Sequence, residues 1–186
     1  TTAHLGEQRQ HTFERWDLGG GDSLAANVAT GNLVVSHPIV SLPIRGSSVG
    51  LSLTYNQHDP STVGMGPGWR LDAFRRLALN PDGTVTFTDG DGSRHTFSGP
   101  VTVGNVTTYT RPATLYATLV KDVGLTANEF ILTYRDMSKD KFDIAASEGL
   151  LLREEDRFGN GVTLAYTAGT NRISTITDTA ASRTIN

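Results

Sequence analysis

Two alternating carboxylates in a glycine-rich segment are the residues of this sequence with the clearest potential to bind an ion. Asp89 and Asp91 alternate with Gly90 and Gly92, so that their oxygens could turn toward one Ca²⁺. The spacing does not match an EF-hand loop, because no Glu follows at the required distance. The same residues are typical of a hairpin turn, in which Asp and Gly accept left-handed backbone angles. We favour the turn and keep calcium as the one weak candidate cofactor.

Aromatic and polar side chains around residues 56–68 form the candidate ligand-contact region. Trp69 could stack on a sugar ring if it is exposed, with Tyr55 beside it. His58 and Asp59 are the one His–carboxylate pair in this region that merits inspection. For Trp69 next to glycines we favour a buried ring, and for His58 and Asp59 a solvated loop. Binding of a glycan or a cell-surface receptor through this region is the alternative function.

Motifs for catalysis are scarce in the sequence. No H-E-x-x-H spacing occurs, and no Ser lies in a G-x-S-x-G turn. Glu154, Glu155 and Asp156 form a carboxylate cluster, but neighbouring residues on a strand point to opposite faces, and Asp156 opens a turn. A solvated face explains this cluster better than glycosidase chemistry does. We predict that the chain is not an enzyme, and a hydrolase whose groups converge in space is the less favoured alternative.

Composition narrows the class of protein further. The 186 residues are 37% hydrophobic and 19% charged, which is enough for one ordinary core. The net charge of −3, with no run of basic residues, gives no reason to expect nucleic acid or an anionic membrane as a partner. No stretch approaches the roughly 18 apolar residues of a membrane span, and any export signal is expected outside this chain. The absence of cysteine excludes disulfides and suits an exported bacterial protein.

Apolar residues recur mostly at every second position and are interrupted every eight to twelve residues by turn formers. This pattern predicts short strands, of which 49–55 is the clearest, with reversals at Asn80-Pro81-Asp82-Gly83 and at 89–92. Residues 69–79 are predicted as one strand. A helical turn or two is the expectation for residues 8–18 only. The sequence therefore predicts an all-β fold of antiparallel hairpins in a meandering, curved sheet, with a β-sandwich as the alternative.

Four motifs in a fixed order resemble the Rhs or YD-repeat family. They are Tyr55-Asn56, Gly66-Pro67-Gly68-Trp69, Asp89-Gly90-Asp91-Gly92 and Asp156-Arg157-Phe158-Gly159-Asn160, and the likeness covers roughly residues 24 to 186. The repeat itself is followed by a strand ending in Tyr166 and by Arg172 and Asp178, although Thr167 stands where Asp often follows the Tyr. The positions that carry the resemblance are Tyr55, Asn56, Gly66, Gly68, Trp69, Asp156, Gly159, Asn160, Tyr166, Arg172 and Asp178.

The resemblance implies a large bacterial protein, secreted or held at the cell surface, whose repeats form a β-sheet that spirals into a hollow shell around a C-terminal toxin. Relatives of this kind include wall-associated proteins, shells of toxin complexes and the teneurins. The implied partners are further repeats of the same chain and the enclosed toxin segment. In this interpretation the chain is a structural segment that opens the shell, because a hairpin repeat must stack on its neighbour to bury its apolar face.

The same resemblance divides the chain into three segments. Residues 1–23 are predicted to be a partly irregular N-terminal extension, 24–149 a β-rich segment that precedes the repeats, and 150–186 the first YD-type repeat. No linker separates them, so we expect one structural unit.

Gly68 and Gly159 are expected to hold unusual φ angles, which side chains with a Cβ tolerate poorly. Replacing either residue with Val should lower the free energy of unfolding by roughly 1–3 kcal/mol. Thermal or chemical unfolding of the two variants measures this loss, and unchanged midpoints in both would contradict the turn assignments.

Overall fold

The computed structural model describes residues 4–44, 47–62, 65–124, 129–143, 148–180 and 183–185. Strands and turns account for most of these residues, as the alternating apolar pattern predicts. Within the described ranges no helix is long and apolar enough to cross a membrane.

Sixteen strands lie in the described part of the chain. They are β1 (Phe13–Gly19), β2 (Asp22–Asn27), β3 (Leu33–Ile44), β4 (Ser47–Asn56), β5 (Trp69–Leu71), β6 (Arg76–Leu79), β7 (Val85–Thr88), β8 (Arg94–Val103), β9 (Val106–Thr110), β10 (Ala117–Asp122), β11 (Glu129–Tyr134), β12 (Lys139–Asp143), β13 (Glu148–Glu155), β14 (Gly161–Tyr166), β15 (Ile173–Asp178) and β16 (Thr184–Ile185).

The chain divides into two compact units, where the sequence led us to expect one. The first comprises Thr1–Ser41, Gly50–Arg75 and Thr88–Arg94, and the second comprises Leu42–Val49, Arg76–Phe87 and His95–Asn186. Both units are built from discontinuous stretches, which explains why no linker is visible in the sequence. The boundaries of the two units differ from those of the three predicted segments. The division of the chain into those family segments stays a prediction.

A five-stranded sheet in the order β1-β2-β3-β4-β5 forms the framework of the first unit. Each strand pairs with its neighbour in the chain, as expected of a meander. The turn between β2 and β3 is closed by two backbone hydrogen bonds, from the Asn27 amide to the Asn32 carbonyl at 2.9 Å and from the Gly31 amide to the Asn27 carbonyl at 2.8 Å. The sheet thus brings the start of β3, the end of β4 and the start of β5 side by side.

The second unit contains an eight-stranded sheet that closes on itself. The strand order is β12-β11-β10-β9-β8-β7-β6-β13, and β12 also pairs with β13, which completes the ring. β13 is shared, because residues 148–150 pair with β6 while residues 153–155 pair with β14. Beyond β14 the sheet continues through β15 and β16.

Alternate side chains of the closed sheet form its core. Val85, Phe87, His95 and Phe97 alternate along β7 and β8, and all four are buried. Across the ring the Phe87 and Phe142 rings contact edge to face with their centroids 6.0 Å apart. His95 stacks on Phe87 and bonds through Nδ1 to the Thr114 hydroxyl at 2.9 Å, so its polar atom is satisfied inside the core.

The all-β, antiparallel prediction is confirmed, and so are the strand at 49–55 and the reversals at 80–83 and 89–92. Closure of the meander was not predicted, and the second unit forms one continuous closed sheet instead of the two facing sheets of a sandwich.

Two local predictions are wrong. The helical turns expected at 8–18 are replaced over most of that range by β1, because Phe13 to Gly19 pair with β2 and this pairing outweighs a weak local preference. The strand expected at 69–79 is interrupted at 72–75, where the Phe74 amide bonds back to the Leu71 carbonyl at 2.9 Å in a turn.

Positive φ angles occur at both glycines chosen from the sequence, +76° at Gly68 and +82° at Gly159. A Cβ on Gly68 would also lie 2.7 Å from the Asn56 carbonyl oxygen, whereas Gly159 has open space around it. The valine at position 68 is therefore expected to be the more damaging of the two.

Candidate functional site

The first unit contains a buried polar network centred on Asn56. This residue ends β4, directly after Tyr55, and its side chain is fully buried. A primary amide offers two donors and an acceptor with two lone pairs, and a buried amide must satisfy them within the protein. Asn56 is therefore placed to hold several chain segments together.

The Asn56 side chain joins three distant segments by hydrogen bonds. Its Oδ1 accepts from the Gly6 amide at 2.7 Å and from Asn32 Nδ2 at 3.0 Å. Its Nδ2 donates to the Asp91 carbonyl oxygen at 2.7 Å. The N-terminal segment, the β2–β3 turn and the 89–92 turn thus meet on one amide group.

Asn32 extends this network to the loop after β4. Its side chain is fully buried, and its Oδ1 accepts from the His58 backbone amide at 3.1 Å. The backbone of Asn56 is also fixed, because its amide donates to the Gly68 carbonyl at 2.8 Å. Residues 56–68 therefore form a loop closed at its base, as the sequence predicts, with residues 63 and 64 outside the described part.

A buried ion pair fixes the middle of that loop. Arg70 Nε lies 2.9 Å from Asp59 Oδ2, and both side chains are almost completely buried. Asp59 Oδ1 also accepts from the Ser61 amide at 3.0 Å. Burial by itself raises the pKa of Asp59, but the hydrogen bonds from Ser61 and Arg70 outweigh it and hold that pKa below its usual value of 3.8. The solvated loop expected for Asp59 is therefore wrong, because its carboxylate is paired with an arginine that sequence inspection overlooked.

The other candidate ligand contacts lie near the network. Trp69 and Tyr55 face each other across β4 and β5, with ring centroids 5.2 Å apart at 46°, and both are half-buried. His58 is exposed, and its backbone amide donates to Asn32 of the network. Gly66 lies at a positive φ of +101° in the turn before Trp69. Glycan binding by this region stays a prediction.

The carboxylates proposed for calcium act as turn-forming groups. Asp89 Oδ1 accepts from the Gly90 amide at 2.7 Å. The two oxygens of Asp91 accept from the Glu7 amide and the Ser93 amide, each at 2.8 Å. Among the described residues, no group of three or more His, Asp or Glu side chains could hold a metal ion.

An open cleft of about 400 Å³ lies beside the network. It is lined by Ser36, Ser52, Thr54, Asp72, Arg75, Asp89, Gly90 and Asp91. The lining is strongly polar, with three carboxylates and one guanidinium, and it lacks the apolar walls of a typical small-molecule site.

The predicted repeat forms three successive antiparallel strands, β13, β14 and β15, in the second unit. Asp156 caps its turn, because Oδ1 accepts from the Phe158 amide at 2.8 Å and the Asn160 amide at 2.9 Å, while Oδ2 accepts from Asn160 Nδ2 at 3.0 Å. These bonds, first of all the one from the Asn160 side chain, lower the pKa of Asp156. The Tyr166 hydroxyl donates to the Leu151 carbonyl at 2.7 Å.

The two charged positions near the end of the predicted repeat, Arg172 and Asp178, differ in burial and in hydrogen bonding. Asp178 is buried, and its Oδ2 lies 2.9 Å from Arg183 Nη2. Arg172 is exposed at the turn before β15, where its amide donates to the Thr170 hydroxyl at 3.3 Å.

The acidic cluster at 154–156 is split, as the strand alternation predicts, but one member is not solvated. Glu155 is buried, and its Oε1 lies 3.0 Å from Lys141 Nζ and 2.6 Å from Arg153 Nε. The expectation of a solvated face is wrong for this residue, because the pairing of β12 with β13 brings Lys141 over it.

Sequence inspection overlooked three members of the network: Gly6, Asn32 and Arg70. Asn32 was recognised only as part of a turn signal, and an Asn in a Thr-Gly-Asn turn gives no indication that its side chain is buried. Arg70 offered no clear signal either, since an Arg between Trp69 and Leu71 on a strand fits a solvent-facing position as well as a buried one.

One comparison with known proteins covers the same stretch of sequence. Residues 26–97 match a family model described as a domain of unknown function, DUF6531. This range contains Asn32, Asn56, Asp59, Arg70 and Asp91, so that, apart from the Gly6 and Glu7 amides, the network falls inside the matched segment.

Three curated relatives share 32% identity with this chain over 165 residues. They are the tRNA nuclease WapA of Bacillus subtilis strain 168, the tRNA3(Ser)-specific nuclease WapA of Bacillus spizizenii and the tRNA(Glu)-specific nuclease WapA of Bacillus subtilis subsp. natto. Each alignment covers 89% of this chain but 7% of the relative. The chain thus corresponds to a small part of much longer proteins.

These names correct the prediction that the protein is not an enzyme. All three relatives are named as nucleases that act on tRNA, so the proteins that share this stretch contradict the prediction of a non-enzyme. That prediction rested on this chain alone, and the chain aligns with 7% of each relative.

We expect Asn56→Ala to lower the free energy of unfolding by about 2–4 kcal/mol, because the change leaves the buried Gly6 amide, Asn32 amide and Asp91 carbonyl without this partner. Asn171→Ala is the matched control, since Asn171 is exposed and its side chain bonds to the exposed side chain of Glu148. Urea unfolding of both variants measures the difference, and equal losses would refute the central role of Asn56.

The Asp59–Arg70 pair should make stability depend on acid pH. Because the folded-state pKa of Asp59 is lowered, the stabilisation is fully present above pH 3.8 and is lost as pH falls through that lower pKa. Asp59→Asn should cost about 3–5 kcal/mol at pH 7, since it leaves Arg70 buried without a counter-charge, and its stability should fall less steeply in acid. Unfolding curves between pH 7 and 3 measure both effects.

The exposed Asp17→Asn variant is the control for that experiment and should follow the wild-type curve. Identical pH profiles for wild type and Asp59→Asn would contradict the assignment.

Proposed function

We propose that this chain is part of the β-sheet framework of a large Rhs/YD-type toxin that acts as a tRNA nuclease. In this proposal the chain opens a sheet that continues through further repeats of the same protein and encloses the toxin segment. The protein is exported and reaches the cell surface or the medium, as the family resemblance implies.

The curated relatives support the toxin part of the proposal. They are named as tRNA nucleases, and this chain aligns with one short stretch of each. The fit extends over 89% of this chain at 32% identity. A complete protein that contains this stretch is therefore expected to have the toxin activity.

The sharing of β13 is the observation that carries the framework part. One edge of this strand pairs first with β6 of the closed sheet and then with β14, while its other edge pairs with β12. If every strand edge of the ring were paired within the ring, no edge would remain to pair with a further strand. Here the predicted YD-type hairpin grows directly out of the ring, and this is the arrangement that a sheet needs if later repeats are to add strand by strand.

The junction between β13 and β14 offers a direct test. A Cβ on Gly161 would overlap the carbonyl group of Glu154, so Gly161→Val should break the pairing at this point. Ala165→Val, on the same strand with an exposed side chain, adds the same residue without a clash and is the matched control. Both changes are made in the complete protein that contains this chain, and tRNA cleavage and protease resistance are then measured.

If the sheet encloses the toxin, Gly161→Val should make the toxin segment sensitive to protease and raise tRNA cleavage by the intact protein, whereas Ala165→Val should change neither. Wild-type protease resistance and wild-type cleavage in Gly161→Val would overturn the framework role. A complete protein that cleaves no tRNA after proteolytic release of its C-terminal segment would overturn the nuclease proposal.

A further inference from the structure

Two histidines of the first unit come together although seven positions separate them in the sequence. His4 Nδ1 lies 3.3 Å from His11 Nε2, the ring centroids are 5.2 Å apart, and the ring planes stand at 80° to each other. Both side chains are half-buried, so that solvent reaches them. Neither residue belongs to the Asn56 side-chain network, and neither contributes to the proposed framework role.

The separations match those of two imidazoles that bind one tetrahedral metal ion. Ligand nitrogens about 2.05 Å from a tetrahedral Zn²⁺ lie about 3.3 Å from each other. Each ring centroid lies roughly 1.15 Å behind its nitrogen, which puts the two centroids about 5.2 Å apart when both rings point at the ion. A straight N–H···N hydrogen bond of the observed length would instead separate the centroids by about 5.6 Å.

The backbone on either side of the pair is held in place. After His4, Leu5 is fully buried, the Gly6 amide donates to Asn56 and the Glu7 amide donates to Asp91. At the other end, the His11 amide donates to the Gln8 carbonyl at 3.0 Å, which closes the turn between the two histidines. Two ligands that are fixed before the ion arrives lose little conformational freedom on binding it.

We propose that His4 and His11 form a two-histidine site for a divalent transition ion such as Zn²⁺. Imidazole is a preferred ligand of zinc, copper and nickel, and water completes the coordination shell. No third His, Asp or Glu joins the two histidines in the described part of the chain, so the ion is exchangeable and is not a permanent structural centre. Its effect is to tie residues 4–11 into a closed loop beside the Asn56 network.

The test uses the untagged chain, freed of metal with EDTA, in calorimetric titration with ZnCl₂. Wild type should bind one ion per chain, and His4→Ala and His11→Ala should each bind at least tenfold more weakly. His58→Ala is the matched control, because it removes an exposed histidine outside the pair and should leave the affinity unchanged. His11→Cys restores a zinc ligand at the same position and should recover most of the binding that His11→Ala loses.

Two further measurements separate a metal site from a hydrogen-bonded pair of histidines. Saturating Zn²⁺ should raise the thermal midpoint of wild type and His58→Ala but not of His4→Ala, because only a protein that binds the ion gains stability from it. The electron paramagnetic resonance spectrum of bound Cu²⁺ should show coupling to two nitrogens. Absence of saturable zinc binding in wild type, or an equal loss of affinity in His58→Ala, would overturn the proposal.

Discussion

The first unit depends on the hydrogen bonds that the buried side chain of Asn56 makes. A single buried amide accepts from the Gly6 amide and from Asn32 and donates to the Asp91 carbonyl, so three segments far apart in the sequence meet at one point. Their positions are coupled, because none of these groups could lose Asn56 without leaving a buried polar atom unpaired. The Asp59–Arg70 pair does the same for the loop that follows β4, where a carboxylate and a guanidinium are buried together.

This network explains why short motifs that are far apart in the sequence are structurally coupled although each motif alone is weak. Tyr55-Asn56, the glycine-rich segment before Trp69 and the 89–92 turn are separate in sequence, yet each supplies a partner to the same buried groups. A substitution in one motif therefore alters which partners the other motifs must supply to the buried groups. The family match over residues 26–97 covers this coupled set.

The second unit depends on a different constraint, the need of every strand for a partner on each edge. Closure through β12, β13 and β6 satisfies the eight strands of the ring, and the division of one edge of β13 between β6 and β14 lets the sheet continue. Phe87, Phe97, Phe130 and Phe142 fill the interior, which makes the ring a packed core.

Local chemistry in the sequence determined the strands and turns. The alternation from Val49 to Tyr55, the Asn80–Gly83 turn and the Asp156–Asn160 turn depend on side chains that act within a few residues, through burial on one face or through Asx-type hydrogen bonds to nearby amides. Such signals can be recognised without knowledge of the fold. The positive φ at Gly68 and Gly159 belongs to the same class, since the turn type requires it.

Only the tertiary structure decided which polar residues are buried and which partners they have. Asp59, Glu155 and Asn32 look like ordinary loop, strand and turn residues, and their roles follow from Arg70, Lys141 and Asn56, which the fold brings to them. The strand at Phe13–Gly19, the closure of the ring and the His4–His11 pair were hidden for the same reason. Pairing between distant segments adds free energy that no local pattern contains, so the sequence could specify the hairpins but not the network that joins them.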